Sequence, residues 1–404
     1  MKKPVIGYLS GPVDAREVYE QWRDGQATTN FGTSYLQQFF SVATGLGAAG
    51  HVVTSHAGER YDVRCGDFQI SNRPRVVRAS GWRYHYEELK WTLRALRDMA
   101  ASGSRAMLLT DAQNYWFLTW PWRLRGVKFV NSLHCVIRPA FKAEPGNLRV
   151  LLWLTGLLHY RYGDATICVS PLIKRQLSEM PGAEARSVEV FLPTYRPGHF
   201  DGIEPPSDQT GSTEVVVLSA GRVERNKGVF DLLDAAETLS SRQGPRVLFD
   251  ICGEGTDLDA LRAAAAKRGL DRIFRIHGFC DQNQIRERLG AADIVVVATR
   301  TDFEEGFAKI VAEGVIAGRP VVTSRVCPAL EVVREACVEV EPDDPAAYAD
   351  AIWALATDSE LARQKRHATV ALRDQFFDPA NSYGAKLELA LKVIVGERGS
   401  AHAS

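Results

Sequence analysis

The chain has 404 residues, of which 45% are apolar and 24% are charged, with 49 basic and 49 acidic side chains. This length exceeds what one hydrophobic core usually fills, so two domains of roughly 200 residues each are expected. The zero net charge hides an asymmetry, because residues 1–200 carry 25 basic and 16 acidic residues (+9) whereas residues 201–404 carry 24 and 33 (−9).

In the first half, short β-branched runs alternate with helical patterns. The N-terminal "MKKPVIGYLSGP" is interrupted by Pro4 and Gly7, which favours a first strand over a signal peptide. The predicted strands are "PVIGYLS", "HVVTSH", "AMLLTD", "KFVNSLH", "TICVS" and "VEVFLP", and the predicted helices lie within 34–50, near 84–101 and near 147–160.

The second half repeats the alternation more regularly. Its predicted strands are "EVVVLSAG", "RVLFDICG", "IFRIHGF", "DIVVVAT" and "PVVTS", separated by helical segments such as "FDLLDAAETL" and "LDALRAAAAKRG". Continuous apolar strands between helices predict a parallel sheet covered on both faces. The expected fold is therefore α/β, with two Rossmann-like doubly wound parallel-sheet domains.

The expected boundaries follow from a stretch at 194–213 that is rich in Pro, Gly, Asp, Ser and Thr and lacks periodicity. Residues 1–195 would form the first domain, 196–213 the linker and 214–375 the second domain. Residues 376–404 would add an amphipathic helix that caps either domain and returns, in one arrangement, to the first.

Seven scattered cysteines, without CxxC spacing, favour reduced thiols in a cytosolic enzyme over a disulfide framework or a structural zinc site. The longest strongly apolar stretch, 150–158, is too short to cross a bilayer. The basic, aromatic stretch 114–129 suggests peripheral contact with anionic headgroups, or an anionic acceptor. Aromatic side chains in the core with arginines at the rim explain the same stretch equally well.

In open parallel sheets, ligands bind at the carboxyl ends of the strands, where free N–H groups of helix starts attract anions. Gly221, Arg222 and Lys227 follow a predicted strand and could clamp a diphosphate, although surface Arg and Lys are common. The "CGEGTD" turn at 252–257 is an incomplete dinucleotide signature.

Glu305 and Glu313 stand eight positions apart in "EEGFAKIVAEG". A helix starting near Gly306 would offer the N–H groups of Phe307, Ala308 and Lys309 to a phosphate. Eight helical residues rise about 12 Å, so the carboxylates would flank that phosphate and accept sugar hydroxyls on both sides. This pattern indicates a nucleotide sugar; the alternative is a solvated helix face with two ordinary acids.

The segments "SAGRVERNKGVFDLL", "ICGEGTDLDAL", "IHGFCDQNQI" and "EEGFAKIVAEGVIAGRPVVTS" resemble, in order and spacing, the donor domain of family 4 retaining glycosyltransferases, which have the GT-B fold. The resemblance covers about residues 214–375 strongly and the first half more weakly. It implies two domains facing a cleft, with the acceptor held by the first and the donor by the second.

The resemblance also implies roles for individual residues. Arg222 and Lys227 would hold the donor diphosphate, Glu305 the transferred sugar and Glu313 the ribose. His134 would stand beside the reacting sugar, and Asp111 is an acceptor-side candidate. The other implied donor-binding residues are Gly32, Thr33, Gly221, Gly253, His277, Gly278, Gly306, Phe307 and Ala308.

The sequence departs from the family pattern at several positions. Ala308 stands where the family commonly has Gly, and Lys309 in the first helical turn is unusual, with a charge that could reach the phosphate. One glycine, Gly32, replaces a common pair. The run "SRVCPALEVV" replaces a Gly-rich loop, so no backbone contact is carried over there.

The expected activity is transfer of a sugar from a nucleotide-diphosphate sugar to an acceptor hydroxyl, with retained anomeric configuration. Neither a metal ion nor another cofactor is expected, and no nucleic acid. A lipid-linked or otherwise anionic acceptor in cell-surface polysaccharide or glycolipid assembly is favoured, in the cytoplasm or at the inner face of the membrane. The alternatives are a nucleotide-sugar epimerase or phosphorylase of the same fold, and a catalytically silent partner subunit.

Overall fold

The computed structural model describes residues 3–26, 34–75, 81–110, 116–138, 140–142, 146–155, 164–180, 188–204, 206 and 213–396. These residues form two α/β domains, each built around its own sheet. The predicted fold class, two Rossmann-like doubly wound domains, is confirmed.

The first sheet combines a parallel body with one antiparallel edge strand. Its strands are β1 (Val5–Leu9), β2 (Ala49–Thr54), β3 (Tyr61–Cys65), β4 (Phe68–Asn72), β5 (Ser104–Thr110), β6 (Lys128–Leu133), β7 (Ala165–Cys168) and β8 (Val188–Val190). Within the described residues their order is β3-β4-β2-β1-β5-β6-β7-β8, and β3 alone pairs antiparallel. The sequence prediction missed β3 and β4, because β3 alternates between half-buried and exposed residues and has no apolar run.

Helices cover both faces of this sheet. They are α1 (Ala15–Arg23), α2 (Tyr35–Gly45), α3 (Trp82–Ala101), α4 (Trp120–Arg123), α5 (Gly146–Thr155) and α6 (Pro171–Ser178). The side chains of Asp14, Ser34 and Ser170 accept hydrogen bonds from the first-turn N–H groups of α1, α2 and α6, which fixes where these helices begin. Phe39 and Phe40 of α2 are completely buried in the core beneath it.

The second sheet is parallel throughout. Its strands are β9 (Glu214–Ala220), β10 (Arg246–Cys252), β11 (Phe274–Gly278), β12 (Ile294–Val297), β13 (Val321–Ser324) and β14 (Cys337–Val340), in the order β11-β10-β9-β12-β13-β14. Val217, Phe249 and Val296 are fully buried, as expected for strands covered on both faces.

The second half of the chain also supplies eight helices among the described residues. They are α7 (Val229–Ser240), α8 (Leu258–Lys267), α9 (Gln282–Ala291), α10 (Lys309–Ile316), α11 (Leu330–Val333), α12 (Pro345–Thr357), α13 (Ser359–Leu372) and α14 (Tyr383–Gly396). Helix α14 lies against α2, β6 and β7 of the first domain, with Leu387 and Leu391 fully buried. The N–H of Gly384 donates to Oε1 of Gln38 on α2 at 2.6 Å.

The chain therefore passes between the domains twice, and the two passages are hydrogen-bonded side by side. The N–H of Leu192 donates to the carbonyl of Asn381, and the N–H of Tyr195 donates to the carbonyl of Phe376, both at 2.9 Å. This double connection places the carboxyl ends of the two sheets opposite each other across a cleft.

Loops from both sheets meet across this cleft. After β6, the N–H of Ala140 donates to Glu304 at 3.4 Å and Nζ of Lys142 donates to the carbonyl of Asp302 at 3.3 Å. Farther out, Arg175 of α6 forms a two-pronged ion pair with Glu331 of α11 at 2.5 Å. The cleft is thus closed by polar contacts along its rim.

Candidate functional site

A cavity of about 380 Å³ lies at the carboxyl edge of the second sheet, between the ends of β9, β10 and β12 and the start of α10. Six predicted donor-binding residues line it: Gly221, Arg222, Lys227, Glu305, Ala308 and Glu313. The structure therefore brings together residues that span almost a hundred positions in the chain.

Lys227 and Glu305 form an ion pair in the wall of this cavity. Nζ of Lys227 lies 2.5 Å from Oε2 of Glu305, and the Thr299 hydroxyl donates to the same oxygen at 3.1 Å. The ammonium also lies 3.8 Å from the centroid of the Phe303 ring. Both side chains are mostly buried, so a carboxylate and an ammonium are held beside each other at one point of the cavity.

Arg222 reaches the cavity from a more exposed position. Its guanidinium donates to Glu224 at 3.1 Å and lies 5.1 Å from the centroid of the Phe303 ring. The side chain is 55% exposed, so it can move toward a ligand at small cost. Of these two cations, Lys227 is the more buried and Arg222 the more exposed.

Gly253 supports this loop through its backbone. It has φ of +139°, and a Cβ at this position would stand 1.7 Å from the carbonyl oxygen of Gly221. Only glycine fits such an approach. Gly253 thus acts on the cavity by letting the β10 loop pack against Gly221.

Helix α10 begins at Lys309, three residues after the position near Gly306 that the sequence predicted. The prediction was wrong because Ala308, at the N-cap, has a left-handed backbone with φ of +61°, which ends the helical path there. The N–H groups of the first turn are therefore those of Lys309 and the residues after it. Glu305 precedes the helix in irregular backbone, so the spacing of about 12 Å derived for a continuous helix does not apply.

Glu313 is the buried acid of the site. Its Oε1 accepts a hydrogen bond from the hydroxyl of Tyr195, a residue of the interdomain connection, at 3.2 Å. Burial raises the pKa of Glu313 to about 7, against the opposing effects of the charge on Lys309 and the Tyr195 hydrogen bond. Near neutral pH both the charged and the neutral form of this carboxyl group are therefore populated.

Lys309 stands where the two domains meet. Its Nζ lies 5.2 Å from the centroid of the Tyr35 ring at the start of α2. Lys309 lines the cavity and keeps an exposed surface. The protein atoms around its ammonium lower the pKa of Lys309 through loss of solvation, while Glu313 acts in the opposite direction.

His134 lies on the opposite wall of the cleft, at the end of β6. Its ring forms a cluster with Tyr35, Phe191 and Tyr383, at centroid distances of 4.6, 5.3 and 5.9 Å. Nε2 lies 2.8 Å from the Ser132 hydroxyl. Burial and then the charge on Lys309 lower the pKa of His134 to about 3, so the ring is neutral at physiological pH.

The backbone of His134 contacts the second domain directly. A Cβ on Gly306 would stand 2.0 Å from the carbonyl oxygen of His134. The glycine between Glu305 and Phe307 therefore allows the two domains to approach at the cavity. Phe307 itself is buried and packs into the core.

His277 and Gly278 are predicted near the base, but the described residues that line the cavity do not include them. Nε2 of His277 lies 2.8 Å from Oδ1 of the buried Asp250, and Arg288 approaches its Nδ1 at 3.4 Å. The ring is thus held in a polar cluster between β10, β11 and α9. Its predicted role in donor binding stays a prediction.

Three other predicted residues, Gly32, Thr33 and Asp111, lie outside the described residues. The described part of the basic aromatic stretch 114–129 begins at residue 116, and it divides into two groups. Trp122 and Phe129 are buried in the core, whereas Phe117 and Leu124 are exposed. Among the described residues, no helix is long and apolar enough to cross a membrane.

Sequence reasoning did not single out several residues that the structure places at the site. They are Thr299, Phe303, Tyr195, Cys252, Cys280, Gln282 and Ile285. Thr299 and Cys280 each follow a strand end, which is the signal that could have found them. Tyr195 carried no such signal because it lies in the connection between domains.

Comparison with known proteins finds a matching family model and several relatives. The family described as "Glycosyl transferases group 1" matches residues 203–369. A glycogen synthase from Mycobacterium tuberculosis is 26% identical over an alignment that covers 88% of this chain and 90% of that protein. A D-inositol 3-phosphate glycosyltransferase 1 from Catenulispora acidiphila is 32% identical over 58% of this chain and 60% of that protein.

Solved structures share the whole architecture. A sucrose-phosphate synthase from Thermosynechococcus elongatus superimposes with a TM-score of 0.68 at 18% identity, covering 100% of both chains. The Anabaena protein Alr3699/HepE, in complex with UDP-glucose, gives 0.63 at 15% identity over 97% of this chain and 99% of that chain. At these identities the likeness establishes the fold. Residues 203–369 thus match the family described as glycosyl transferases group 1, in a chain with the two-domain GT-B fold.

Proposed function

We propose that the protein is a retaining, metal-independent glycosyltransferase that moves a sugar from a nucleotide-diphosphate sugar to an acceptor hydroxyl. The observation that carries this proposal is the cavity wall in which Lys227, Glu305 and Glu313 stand together, opposite the first domain. The group 1 domain and the glycosyltransferase relatives support the same reaction class.

Donor binding would separate the Lys227–Glu305 ion pair. The diphosphate takes the ammonium of Lys227 and the exposed guanidinium of Arg222, and the first-turn N–H groups of α10 face the same anion. A hydroxyl of the transferred sugar then donates to Glu305, and ribose hydroxyls donate to Glu313. Each partner of the ion pair therefore exchanges one contact for another, and neither charge stays unpaired.

Bond cleavage at the anomeric carbon transfers negative charge to the departing diphosphate. Cations and N–H groups that already point at this charge stabilise the transition state more than the ground state. The acceptor oxygen forms its new bond on the face that the diphosphate leaves, and a diphosphate oxygen takes the acceptor proton. The configuration at the anomeric carbon is then retained, and no metal is needed to bind the leaving group.

His134 has a limited part in this scheme. As a neutral imidazole with Nε2 beside Ser132, it offers a hydrogen bond to the sugar rather than a positive charge. Its aromatic neighbours exclude water from the reacting carbon, which limits hydrolysis of the donor.

The donor class follows from the anionic and hydroxyl contacts, and the structural neighbour with UDP-glucose makes a uridine diphosphate sugar the first choice. For the acceptor, we propose a lipid-linked or otherwise anionic glycan in cell-surface polysaccharide or glycolipid assembly. The basic first half of the chain supports this choice.

A thermal-shift screen against UDP-, GDP- and ADP-sugars, followed by hydrolysis assays with and without EDTA, tests the proposal. One nucleotide sugar should raise the melting temperature, and it should be hydrolysed slowly at a rate that EDTA does not change. NMR of the transfer product should show the anomeric configuration of the donor.

Each rival function gives a different result in these assays. An epimerase returns an intact nucleotide sugar of altered stereochemistry, and a phosphorylase requires inorganic phosphate. A silent subunit binds no donor or binds it without turnover. Any of these results, or activity that EDTA abolishes, contradicts the proposal.

A further inference from the structure

Two cysteines line the proposed donor cavity together. Cys252 is the last residue of β10 and is 1% exposed, and Cys280 lies two residues after the end of β11 and is half-buried. All seven cysteines are free thiols, and of these the cavity wall contains only this pair.

The sheet brings the two thiols close to each other. Strands β10 and β11 are parallel neighbours, with Cys252 opposite Gly278. The thiol of Cys280 donates to the carbonyl of Gly278 at 3.5 Å, which turns its side chain back toward β10. Cys280 is also close enough to Cys252 to influence the pKa of its thiol. Disulfides need Cα atoms about 4.4–6.8 Å apart. Strands β10 and β11 are one strand spacing apart, about 4.8 Å, and Cys280 lies two residues past the residue opposite Cys252.

The two thiols differ in access. Burial raises the pKa of the Cys252 thiol, and the neighbouring Cys280 raises it further. Cys252 is therefore a poor first nucleophile, since the thiolate is the reactive form. Cys280 faces the cavity with part of its surface open, so reagents that enter the donor site meet Cys280 first.

We propose that Cys252 and Cys280 form a modification site, a dithiol that peroxides convert to a disulfide and that thereby controls donor binding. Its effect on binding rests on the proposed function, whereas the disulfide itself does not. The position of the pair in the cavity wall, next to Gln282 and Ile285, gives the modification a direct consequence for a ligand.

The chemistry proceeds in two balanced steps. The sulfur of Cys280, after losing its proton, attacks one peroxide oxygen, so that an S–O bond forms, the O–O bond breaks and one water leaves. The sulfur of Cys252 then attacks the resulting sulfenic acid, the S–S bond forms and the second water carries away the remaining oxygen. The two thiols lose two electrons and two protons, and the peroxide is reduced to two waters.

Disulfide formation should disturb the start of α9. Asp281 caps this helix by accepting from the N–H of Gln284, while the Gln284 side chain accepts from the N–H of Asp281. Drawing Cys280 onto β10 pulls on Asp281 and shifts Gln282 and Ile285 in the cavity wall. We expect oxidation to lower the affinity for uridine diphosphate about tenfold, the effect of losing one or two good contacts.

The test treats the purified full chain with hydrogen peroxide and maps its peptides under non-reducing conditions. The expected result is a peptide pair joined through Cys252 and Cys280, lighter by two hydrogen atoms. Calorimetry with uridine diphosphate should show the loss of affinity, and dithiothreitol should restore it.

Variants separate this site from general oxidation. Cys280→Ser should lose the cross-link and bind uridine diphosphate equally before and after peroxide. Cys65→Ser, a matched change on the edge strand β3 of the first domain, should behave like the protein without substitutions, both before and after peroxide. The exposed Cys135 serves as the internal measure of how far oxidation has gone.

Two outcomes overturn the proposal: complete oxidation of Cys135 without a Cys252–Cys280 cross-link, and a cross-link that leaves the affinity unchanged. The proposed function fails in a different way, when the reduced protein binds no nucleotide or nucleotide sugar. In that case the cross-linked peptide still supports the dithiol.

Discussion

The two walls of the cleft are built from different chemistry. The wall of the second domain carries fixed charges, with Lys227 against Glu305 and Glu313 behind them. The wall of the first domain is an aromatic cluster of Tyr35, Phe191 and Tyr383 around a neutral His134. Charges suit a ligand that is itself charged, whereas rings suit the exclusion of water. Under the proposed function, affinity for the donor comes from the second domain and protection of the reaction from the first.

The largest expected effect comes from breaking the charged wall. Lys227→Ala should lower kcat/KM by about 10³, because it removes the cation closest to the leaving diphosphate and leaves Glu305 without its counter-ion. Glu305→Ala should lower kcat comparably but leave nucleotide affinity largely intact, since the freed Lys227 still meets the phosphates. Steady-state kinetics with nucleotide calorimetry distinguishes the two, and equal loss of nucleotide affinity in both variants would contradict these roles.

A second substitution tests the contact between the two walls at Gly306 and the His134 carbonyl. Gly306→Ala should lower kcat/KM by about 10², because the added methyl group would clash with the His134 carbonyl and hold the domains apart. Gly290→Ala in α9, where a methyl group meets no atom within 4 Å, is the matched control and should keep full activity. If Gly306→Ala were as active as this control, the domains would not need to meet at that point.

The pH dependence of donor binding gives an intermediate effect that sharpens the comparison. Ribose hydroxyls need the charged form of Glu313, whose pKa is about 7, so the KM for the donor should rise about tenfold from pH 8 to pH 6. Lys309→Met and Tyr195→Phe should both move this change to higher pH, because each removes an interaction that favours the charged form. Lys309→Met should move it further, and KM profiles of the three proteins measure the order. If the pH profile of KM were the same in both variants as in the original protein, Glu313 would not be the titrating group.

The same carboxyl group should affect stability in the opposite direction. Its pKa in the folded protein lies above the ordinary value of 4.5, so the folded state binds the proton more tightly than the unfolded state. Stability from this group is complete below pH 4.5 and is lost as the pH rises toward 7. Donor binding and stability therefore have opposite pH trends in this range.

The smallest effect is expected at the rim of the cleft. Arg175→Ala removes an ion pair between the domains whose arginine side chain is 56% exposed, so the melting temperature should fall by only about 1 °C. Arg334→Ala, which breaks an exposed pair within the second domain, should cost about as much. Small-angle scattering should show a wider spacing between domains in the first variant only. Equal spacing in both would show that the rim pair does not hold the cleft.

The sequence allowed most strands of the two sheets and most of the charged wall to be predicted, since Arg222, Lys227 and Glu305 each lie in a loop that follows a strand. The strands β3, β4 and β14 were missed. It could not reveal that Lys227 pairs with Glu305, because that contact joins residues 78 positions apart. The start of α10 was misplaced because a left-handed alanine leaves no pattern of apolar spacing. Tyr195 was missed because its partner, Glu313, becomes its neighbour only after both domains have folded.

The double passage of the chain between the domains has a mechanical consequence. A single connecting segment can both bend and rotate. Two segments hydrogen-bonded side by side at Leu192 and Tyr195 resist rotation about their common direction. Opening and closing of the cleft should then be a hinge motion about one axis. The two walls return to the same alignment at each closure, so the precision of the site lies in the connection as much as in the residues that touch the ligand.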